Sequence, residues 1–256
     1  MISLPLGWTG FLAVWAASYI ALVILYFGSG LVLVALNRRH PERRIQKQRR
    51  SDRVRSEIRQ SLVALVSIAG YVAGGLCLPA NGYALFQPGE LTLVSFLGWS
   101  VVSAIAYDTW FYWGHRAMHT KALFRFHALH HRSITPTVWA NNSDGFVGTM
   151  IEQGYFLVAP LLLPIPPLVL VLHKLYDQAS GMVGHCGFEH VASPGARKPW
   201  PLVCTTFHDQ HHSNFRCNFS NTFSLWDRFM DTLHPAYDRK VEEMERPVSA
   251  TPRDGA

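Results

Sequence analysis

The stretch GFVGTMIEQGYFLVAPLLLPIPPLVLVLHKLYDQASGMVG, residues 145–184, decides the fold. It is apolar enough to enter a membrane, but Pro164, Pro166 and Pro167 interrupt it, and proline cannot continue a regular helix. Two folds are open at this point. A single kinked span would place the flanking segments on opposite faces of a bilayer, whereas a hairpin that turns at the prolines would return the chain to one face.

Long runs without Asp, Glu, Lys or Arg occupy much of the chain, at residues 1–37, 60–89, 91–107 and 153–172. A helix needs roughly 20 mostly apolar residues to cross a bilayer. The sequence therefore predicts membrane spans at about residues 9–36, 61–80 and 91–113. The predicted fold class is all-α, an integral-membrane helical bundle of about three spans plus a Pro-broken helical hairpin.

The net charge of +6 comes from one loop. Residues 38–59 hold ten Lys or Arg residues against three Asp or Glu, a local net charge of +7 that leaves −1 for the rest of the chain. A basic loop between two apolar segments is typical of a cytoplasmic loop that lies near anionic headgroups. No aromatic residues alternate with these arginines, so we do not expect a nucleic-acid partner.

The chain divides into three predicted regions. Residues 1–90 form N-terminal transmembrane helices and the basic loop, in which we expect a helix over 42–60. Residues 91–240 form the catalytic region, and residues 241–256 form a tail that we expect to be disordered, because it contains Pro247, Pro252 and Gly255.

Eleven of the thirteen histidines lie between residues 115 and 212. HRAMH at 115–119 places two histidines at positions i and i+4, and HALHH at 127–131 and HDQHH at 208–212 both read HxxHH. Positions i, i+3 and i+4 share a helix face, so each HxxHH is expected to direct three imidazoles to one point. Asp108 lies seven residues before His115 on the same face, where it could bind a metal or orient a ring.

Eight imidazoles near a membrane surface are unfavourable unless their lone pairs are satisfied, and a metal ion does this. One zinc takes three or four protein ligands, so eight ligands indicate two metal ions. Imidazole binds zinc, copper, nickel and iron, and the identity of the metal stays open here. A set of solvent-exposed, pH-sensing histidines is the less favoured alternative.

HRAMH, HALHH and HDQHH, in this order, resemble the histidine boxes of the fatty acid hydroxylase and sterol desaturase superfamily. Asp108-Thr-Trp-Phe-Tyr-Trp before the first box, Gly184-His-Cys-Gly-Phe-Glu189 and Trp226-Asp-Arg-Phe229 match further motifs of that superfamily. The resemblance covers about residues 95–235 and is specific as an ordered set.

The resemblance implies two Fe ions, with zinc as an alternative occupant of purified protein, and molecular oxygen as co-substrate. It implies hydroxylation or desaturation of a lipid substrate that is fatty acyl, sterol or carotenoid-like. An external electron donor of the cytochrome b5 or ferredoxin type is also implied. Its metal ligands, carried over by motif, are His115, His119, His127, His130, His131, His185, His208, His211 and His212.

Several other polar residues are candidates for roles beside the metals. We assign catalytic roles to Asp108 and Glu189, and regard Asp144 and Glu152 as candidate contacts to ligands or substrate. His190 is expected beside the metal ligands, His173 at a helix end or interface, and His40 and His234 in solvent.

Three departures from the superfamily's motifs concern the substrate region and the segments after the third box. Asp144-Gly-Phe146 stands where many relatives have an aromatic–His–Pro stretch, so the substrate cannot be transferred from a relative. Asn218-Phe-Ser220 replaces the usual Asn-Tyr-Gly, and Met230-Asp-Thr232 replaces Phe-Gly-Thr. No box histidine is missing.

The positions of the histidines also discriminate between the kinked span and the hairpin. One metal cluster cannot draw ligands from both faces of a bilayer, so residues 145–184 are expected to form a hairpin, with a cytoplasmic helical cap carrying the boxes. This predicts a multi-pass protein of the bacterial inner membrane or endoplasmic reticulum whose active site faces the cytoplasm.

Two rival functions remain. A membrane zinc hydrolase should carry an HExxH-type box with a general base, and none occurs in the sequence. A non-catalytic metal carrier or sensor should place its ligands within a span, whereas these boxes lie beyond the predicted span ends.

Overall fold

A computed structural model describes residues 7–48 and 52–245 of the chain. Within these residues the protein is helical, with two isolated β-bridges in place of any sheet. The prediction of an all-α fold is confirmed. The helices are α1 Trp8–Arg39, α2 Val54–Ala80, α3 Leu93–Met118, α4 Phe146–Gln153, α5 Tyr155–Leu162, α6 Pro167–Gly184, α7 Thr205–Ser213, α8 Leu225–Phe229 and α9 Tyr237–Glu245.

Helices α1 and α2 contain the first two predicted spans, and both are long and apolar enough to cross a membrane. Large apolar side chains on α1, including Ile20, Ile24 and Leu31, are exposed and face no other part of the described protein. An apolar surface of this size is stable when lipid covers it, so the helix indicates association with a membrane. Helix α3 coincides with the third predicted span, and its crossing of the membrane stays a prediction.

The helix predicted over residues 42–60 is wrong in its first part. Residues 41–43 form a single 3₁₀ turn, and α2 begins only at Val54. Between them, Ile45 N–H donates to the Gly187 carbonyl, and Glu189 N–H donates to the Arg43 carbonyl. These backbone bonds draw residues 43–45 into extended pairing with a distant segment, which overrides the local tendency to form a helix.

The predicted hairpin is present as α4 and α5 leading away from the histidine boxes and α6 returning to them. The chain turns at Leu163–Pro166, between α5 and α6. Near that turn Leu85 N–H donates to the Leu161 carbonyl at 2.7 Å, so the hairpin tip lies beside the α2–α3 connection. Both flanks of residues 145–184 therefore lie at the same end of the bundle.

A loop after the second box is fixed to the first two helices by polar contacts. Tyr26 and Ser61 both donate to the Trp139 carbonyl, and the buried Glu57 carboxylate accepts from Ser133 and Thr137. Because these partners come from α1, α2 and the loop, the histidine-bearing end of the bundle is held in one place.

Helix α9 occupies part of the predicted tail. It continues to Glu245, so residues 241–245 are helical where a disordered tail was expected. Arg228 on α8 pairs with Asp238 on α9 at 2.6 Å, and Tyr237 and Val241 are fully buried. These contacts explain why the helix persists. The rest of the predicted tail lies outside the described residues.

Candidate metal centre

The three boxes reach the site on different kinds of backbone. His115 lies in the last turn of α3 and His119 follows its end, whereas the third box lies entirely on α7. The second box does not lie on an α-helix. It follows one 3₁₀ turn, Phe124–Phe126, and contains another, His130–Arg132.

The nine histidines predicted as ligands come together in two groups. In each group the nearest ring nitrogens lie within 4.8 Å of one another. Group one contains His115, His119, His127, His131 and His211. Group two contains His130, His185, His208 and His212.

The prediction that each HxxHH directs its three histidines to one point is wrong. His130 and His131 are adjacent yet belong to different groups, and so do His211 and His212. Successive residues are rotated by about 100° on an α-helix and by about 120° on a 3₁₀ helix, so the side chains at i+3 and i+4 diverge when the target is small. Each of the last two boxes therefore contributes to both groups.

Short distances separate the ring nitrogens within each group. In group one, the Nε2 atom of His131 lies 3.1 Å from that of His119 and 3.1 Å from that of His211. In group two, the Nε2 atom of His185 lies 3.2 Å from that of His130 and 2.8 Å from that of His208. Two nitrogens bound to one ion at about 2.1 Å and at right angles would lie about 3 Å apart.

In several of these rings, the Nδ1 atom is hydrogen-bonded to a backbone carbonyl. The Nδ1–H groups of His115, His211 and His185 donate to the carbonyls of Phe219, Cys217 and Gly181 at 2.7–2.8 Å. Such a bond fixes the tautomer and leaves the Nε2 lone pair free to bind a metal.

Burial keeps most of these rings neutral. It lowers the pKa of His130, His131 and His208 well below the usual value, and neighbouring histidines lower it further. Burial likewise lowers the pKa of His185 to about 4 and that of His211 to about 3. Neutral imidazole is the form that binds metal.

The unpartnered buried nitrogens of group one include two Nε2 atoms, those of His115 and His127. A buried acceptor without a partner is destabilising, and buried polar groups are rarely left so. A metal ion would satisfy both lone pairs, so the residues present fit a metal centre.

His127 is oriented by carboxylates. Its Nδ1 lies 2.9 Å from Asp144 Oδ2 and 3.8 Å from Glu152 Oε1. Burial lowers the pKa of His127, but the hydrogen bond and the charge of Asp144 outweigh this and raise it overall. A carboxylate behind a histidine is a common device for orienting a metal ligand.

Comparison with known proteins places this arrangement in a family. The sequence profile described as fatty acid hydroxylase matches residues 100–232, more than half of the chain and all nine clustered histidines. The chain belongs to the fatty acid hydroxylase family.

Three curated relatives illustrate this fatty acid hydroxylase family. A cholesterol 25-hydroxylase-like protein of Danio rerio is 26% identical over 156 residues, covering 59% of this chain and 61% of the relative. Methylsterol monooxygenase 1 of Danio rerio is 28% identical over 130 residues, or 50% of this chain and 44% of the relative.

A very-long-chain aldehyde decarbonylase, GL1-7 of Oryza sativa subsp. japonica, is 28% identical over 155 residues, or 56% of this chain and 24% of the relative. The chain thus spans less than two thirds of the length of these relatives. No solved structure matches it significantly.

In this member of the fatty acid hydroxylase family, the loop 217–223 supplies the carbonyls behind His115 and His211. Asn218 at its start has φ +59°, a left-handed conformation that Asn tolerates better than most residues. Its side chain donates to the Phe207 carbonyl and accepts from His234 N–H. In the sequence, Asn218 stands out only as part of a variant stretch, and its structural role was not predicted.

Two acidic residues hold the rest of this loop. Asp227 accepts from the backbone N–H groups of Phe219 and Ser220. Asp108 accepts from those of residues 221, 222 and 223, at 3.2, 2.8 and 3.1 Å. Asp108 is in neither histidine group. Its contacts are those of a residue that positions the loop, and the catalytic role assigned to it stays a prediction.

Glu189 lies at the start of α7. Its Oε2 accepts from both Thr206 N–H and the Thr206 hydroxyl, and its Oε1 accepts from Val191 N–H. The side chain is fully buried. Glu189 therefore satisfies an N–H group at the N-terminal end of the helix that carries the third box. Its catalytic role also stays a prediction.

The remaining histidines lie outside both groups. His190 Nε2 is 2.8 Å from Asn37 Oδ1 on α1, and His173 Nδ1 is 2.7 Å from Ser103 Oγ between α6 and α3. His40 is half-exposed and pairs with Glu42, and His234 accepts from Ala236 N–H.

Proposed function

We propose that this chain is a membrane-bound di-iron oxidoreductase that uses molecular oxygen to hydroxylate or desaturate a lipid. The observation that carries this proposal is the pair of histidine groups, five and four rings, whose nitrogens converge at short range. The names of the sterol and aldehyde-modifying relatives agree with lipid oxidation.

The proposal assigns one iron to each group, with the nine clustered histidines as ligands. Imidazole nitrogen suits iron and also zinc, so zinc is the expected contaminant of purified protein. When bound, the two irons would supply the oxygen-activating redox chemistry needed to attack an unactivated C–H bond. The protein's own residues hold most of the ligands neutral, orient their rings and keep the centre buried.

A cavity beside group two is the proposed substrate site. Its volume is about 420 Å³, within the usual range for a small-molecule pocket, and His130, His185 and His208 line it. A lipid in this cavity would lie against the nitrogens of group two. Hydroxylation and desaturation begin with removal of one hydrogen atom and differ by small changes in substrate position.

Membrane position and partners complete the proposal. We place the histidine groups and the basic loop on the cytoplasmic side, since Gln46 in that loop donates to Asp209 in the third box at 3.1 Å. Residues 91–240 would form the catalytic region and residues 1–90 the membrane anchor. Reducing equivalents would come from a separate cytochrome b5 or ferredoxin-type protein.

Metal analysis and lipid analysis together test this function. Purified protein should contain two irons per chain, and cells that express the gene should gain a lipid with one added oxygen or two fewer hydrogens, dependent on oxygen. Replacing His131 and His212 together by alanine should abolish both the binding of iron and the change in the lipid. One zinc per chain with hydrolytic activity, or bound metal without any lipid change, would refute it.

A further inference from the structure

The cavity beside group two differs in character between its two ends. Three of its apolar lining residues are exposed and mark the mouth: Tyr176, Leu202 and Val191, at 55%, 47% and 45% exposure. Its buried lining contains the polar residues Asn142, Asp144, Thr149 and Gln153 beside the apolar Ile68 and Phe111, and the partly buried Glu152 also lines the cavity.

Most polar groups at the inner end are already bonded to other protein groups. Asn142 Oδ1 accepts from Gln178, and Asp144 accepts from Gly145 N–H and faces His127 Nδ1. Gln153 both donates to Tyr107 and accepts from Lys174. These side chains have little capacity left for a ligand.

The Glu152 carboxyl group has no such bond. None of the described residues donates a hydrogen bond to its carboxyl group, and the approach of His127 Nδ1 at 3.8 Å is too long for one. Its side chain is only 15% exposed and lines the cavity. A nearly buried carboxyl group with free acceptor capacity is stabilised when a ligand donates a hydrogen bond to it.

The mouth continues into an apolar surface. On α6 the exposed residues Leu168, Leu172 and Tyr176 are spaced by four, so they form one stripe along the helix that ends at the mouth. A substrate whose apolar body lies in lipid can follow this stripe into the cavity. Trp110 and Trp113 lie on α3 and do not line the cavity.

We propose that the cavity binds a hydroxylated lipid with its polar end innermost. The substrate hydroxyl donates a hydrogen bond to the Glu152 carboxyl group. The apolar body lies past His130, His185 and His208 and leaves between Tyr176 and Leu202. This inference rests on the proposed function, and it narrows the substrate class to lipids that carry a hydrogen-bond donor.

The reverse orientation is unfavourable for a physical reason. An apolar chain end placed at the inner wall would cover Glu152 without offering a donor, and burial of an unpaired carboxyl group is strongly unfavourable. A hydroxyl at the mouth would in turn face the apolar side chains of Leu202 and Val191.

Binding of two matched probes tests the proposal without knowledge of the natural substrate. Tritiated 1-hexadecanol is bound to metal-loaded full-length protein in phospholipid nanodiscs, and unlabelled 1-hexadecanol or its methyl ether is used as competitor. The two probes share the apolar chain, but only the alcohol donates a hydrogen bond. We expect the ether to compete about tenfold or more weakly, because it covers the carboxyl group without donating a hydrogen bond to it.

Variants at the two ends should act differently. Glu152→Leu should weaken hexadecanol binding about tenfold and remove the preference over the ether. Leu202→Asp should weaken both probes alike and keep the preference. Glu90→Gln, an exposed carboxylate distant from the cavity, is the control and should bind as wild type.

Several results would overturn the proposal: equal competition by the ether in wild type, no binding of hexadecanol, or an unchanged preference in Glu152→Leu. The wild-type comparison needs no variant, so misfolding of a variant does not remove the test. If the preference holds but metal-loaded protein oxidises no lipid, the proposed function fails while the binding mode stands.

Discussion

At the scale of single residues, the site depends on side chains that turn histidine rings toward a shared point. His115 and His211 are oriented by backbone carbonyls of loop 217–223, and His127 is oriented by Asp144. The clustered histidines of the three boxes were predictable from the sequence because HxxHH and HxxxH are local patterns. The supporting carbonyls were not, because any residue type supplies a carbonyl.

Replacement of Asn218 tests the left-handed position in that loop. Asn218→Ala and Asn218→Gly both lose the side-chain hydrogen bonds, but only alanine is strained at φ +59°. We expect the alanine variant to be less stable than the glycine variant by about 1 kcal/mol. Thermal unfolding in detergent measures the difference. Equal stability would show that the backbone there relaxes without strain.

Replacement of Asp144 tests the support of His127. Asp144→Asn removes the negative charge that faces His127 Nδ1 at 2.9 Å. Loss of such a partner typically weakens metal binding about 10- to 100-fold. Competition with a chelator measures the affinity, and Glu90→Gln serves as control. Unchanged affinity would mean that Asp144 does not influence the metal.

At the scale of elements, charge-free runs predicted the long helices well, since the apolar composition of a span is a local property. The extended pairing of residues 43–45 with 187–189 was not predictable, because it depends on contacts far apart in the chain. The sequence pattern did not predict the 3₁₀ geometry of the second box. It also did not predict the division of each HxxHH between two groups, which follows from the rotation between adjacent residues.

Replacement of Glu189 separates support of α7 from catalysis. Glu189→Gln retains the shape but weakens the bonds to Thr206 at the helix start. We expect the metal-free protein to lose about 1–3 kcal/mol of stability. Chemical unfolding of metal-free protein measures this. If stability is unchanged while activity is lost, Glu189 acts in catalysis instead.

At the scale of the whole molecule, the bundle has one end that carries all nine clustered histidines and an opposite end formed by the α2–α3 connection and the hairpin tip. This difference between the two ends was predicted from one constraint: all ligands of one metal centre must lie on the same side of the membrane. It could not predict how far the hairpin extends, because that depends on helix packing.

Cysteine labelling of the intact protein tests its orientation in the membrane. The four native cysteines are buried, so single cysteines at the exposed positions Lys47, Lys121 and Glu90 can be labelled selectively. A membrane-impermeant reagent should reach Lys47→Cys and Lys121→Cys from one side and Glu90→Cys from the other. Labelling of all three from one side would contradict a transmembrane bundle.

The assignment of His130 and His131, and of His211 and His212, to different groups has a consequence for loading with metal. Neighbouring residues share a peptide unit, so an ion that fixes one ring also restricts the backbone of the next. Binding of the first ion thereby lowers the entropy cost of ordering the second group. The two ions are therefore expected to bind with positive cooperativity. Titration of metal-free protein with iron should give a sigmoidal binding curve, with little protein that holds a single ion. A hyperbolic curve would show that the two groups bind their ions independently.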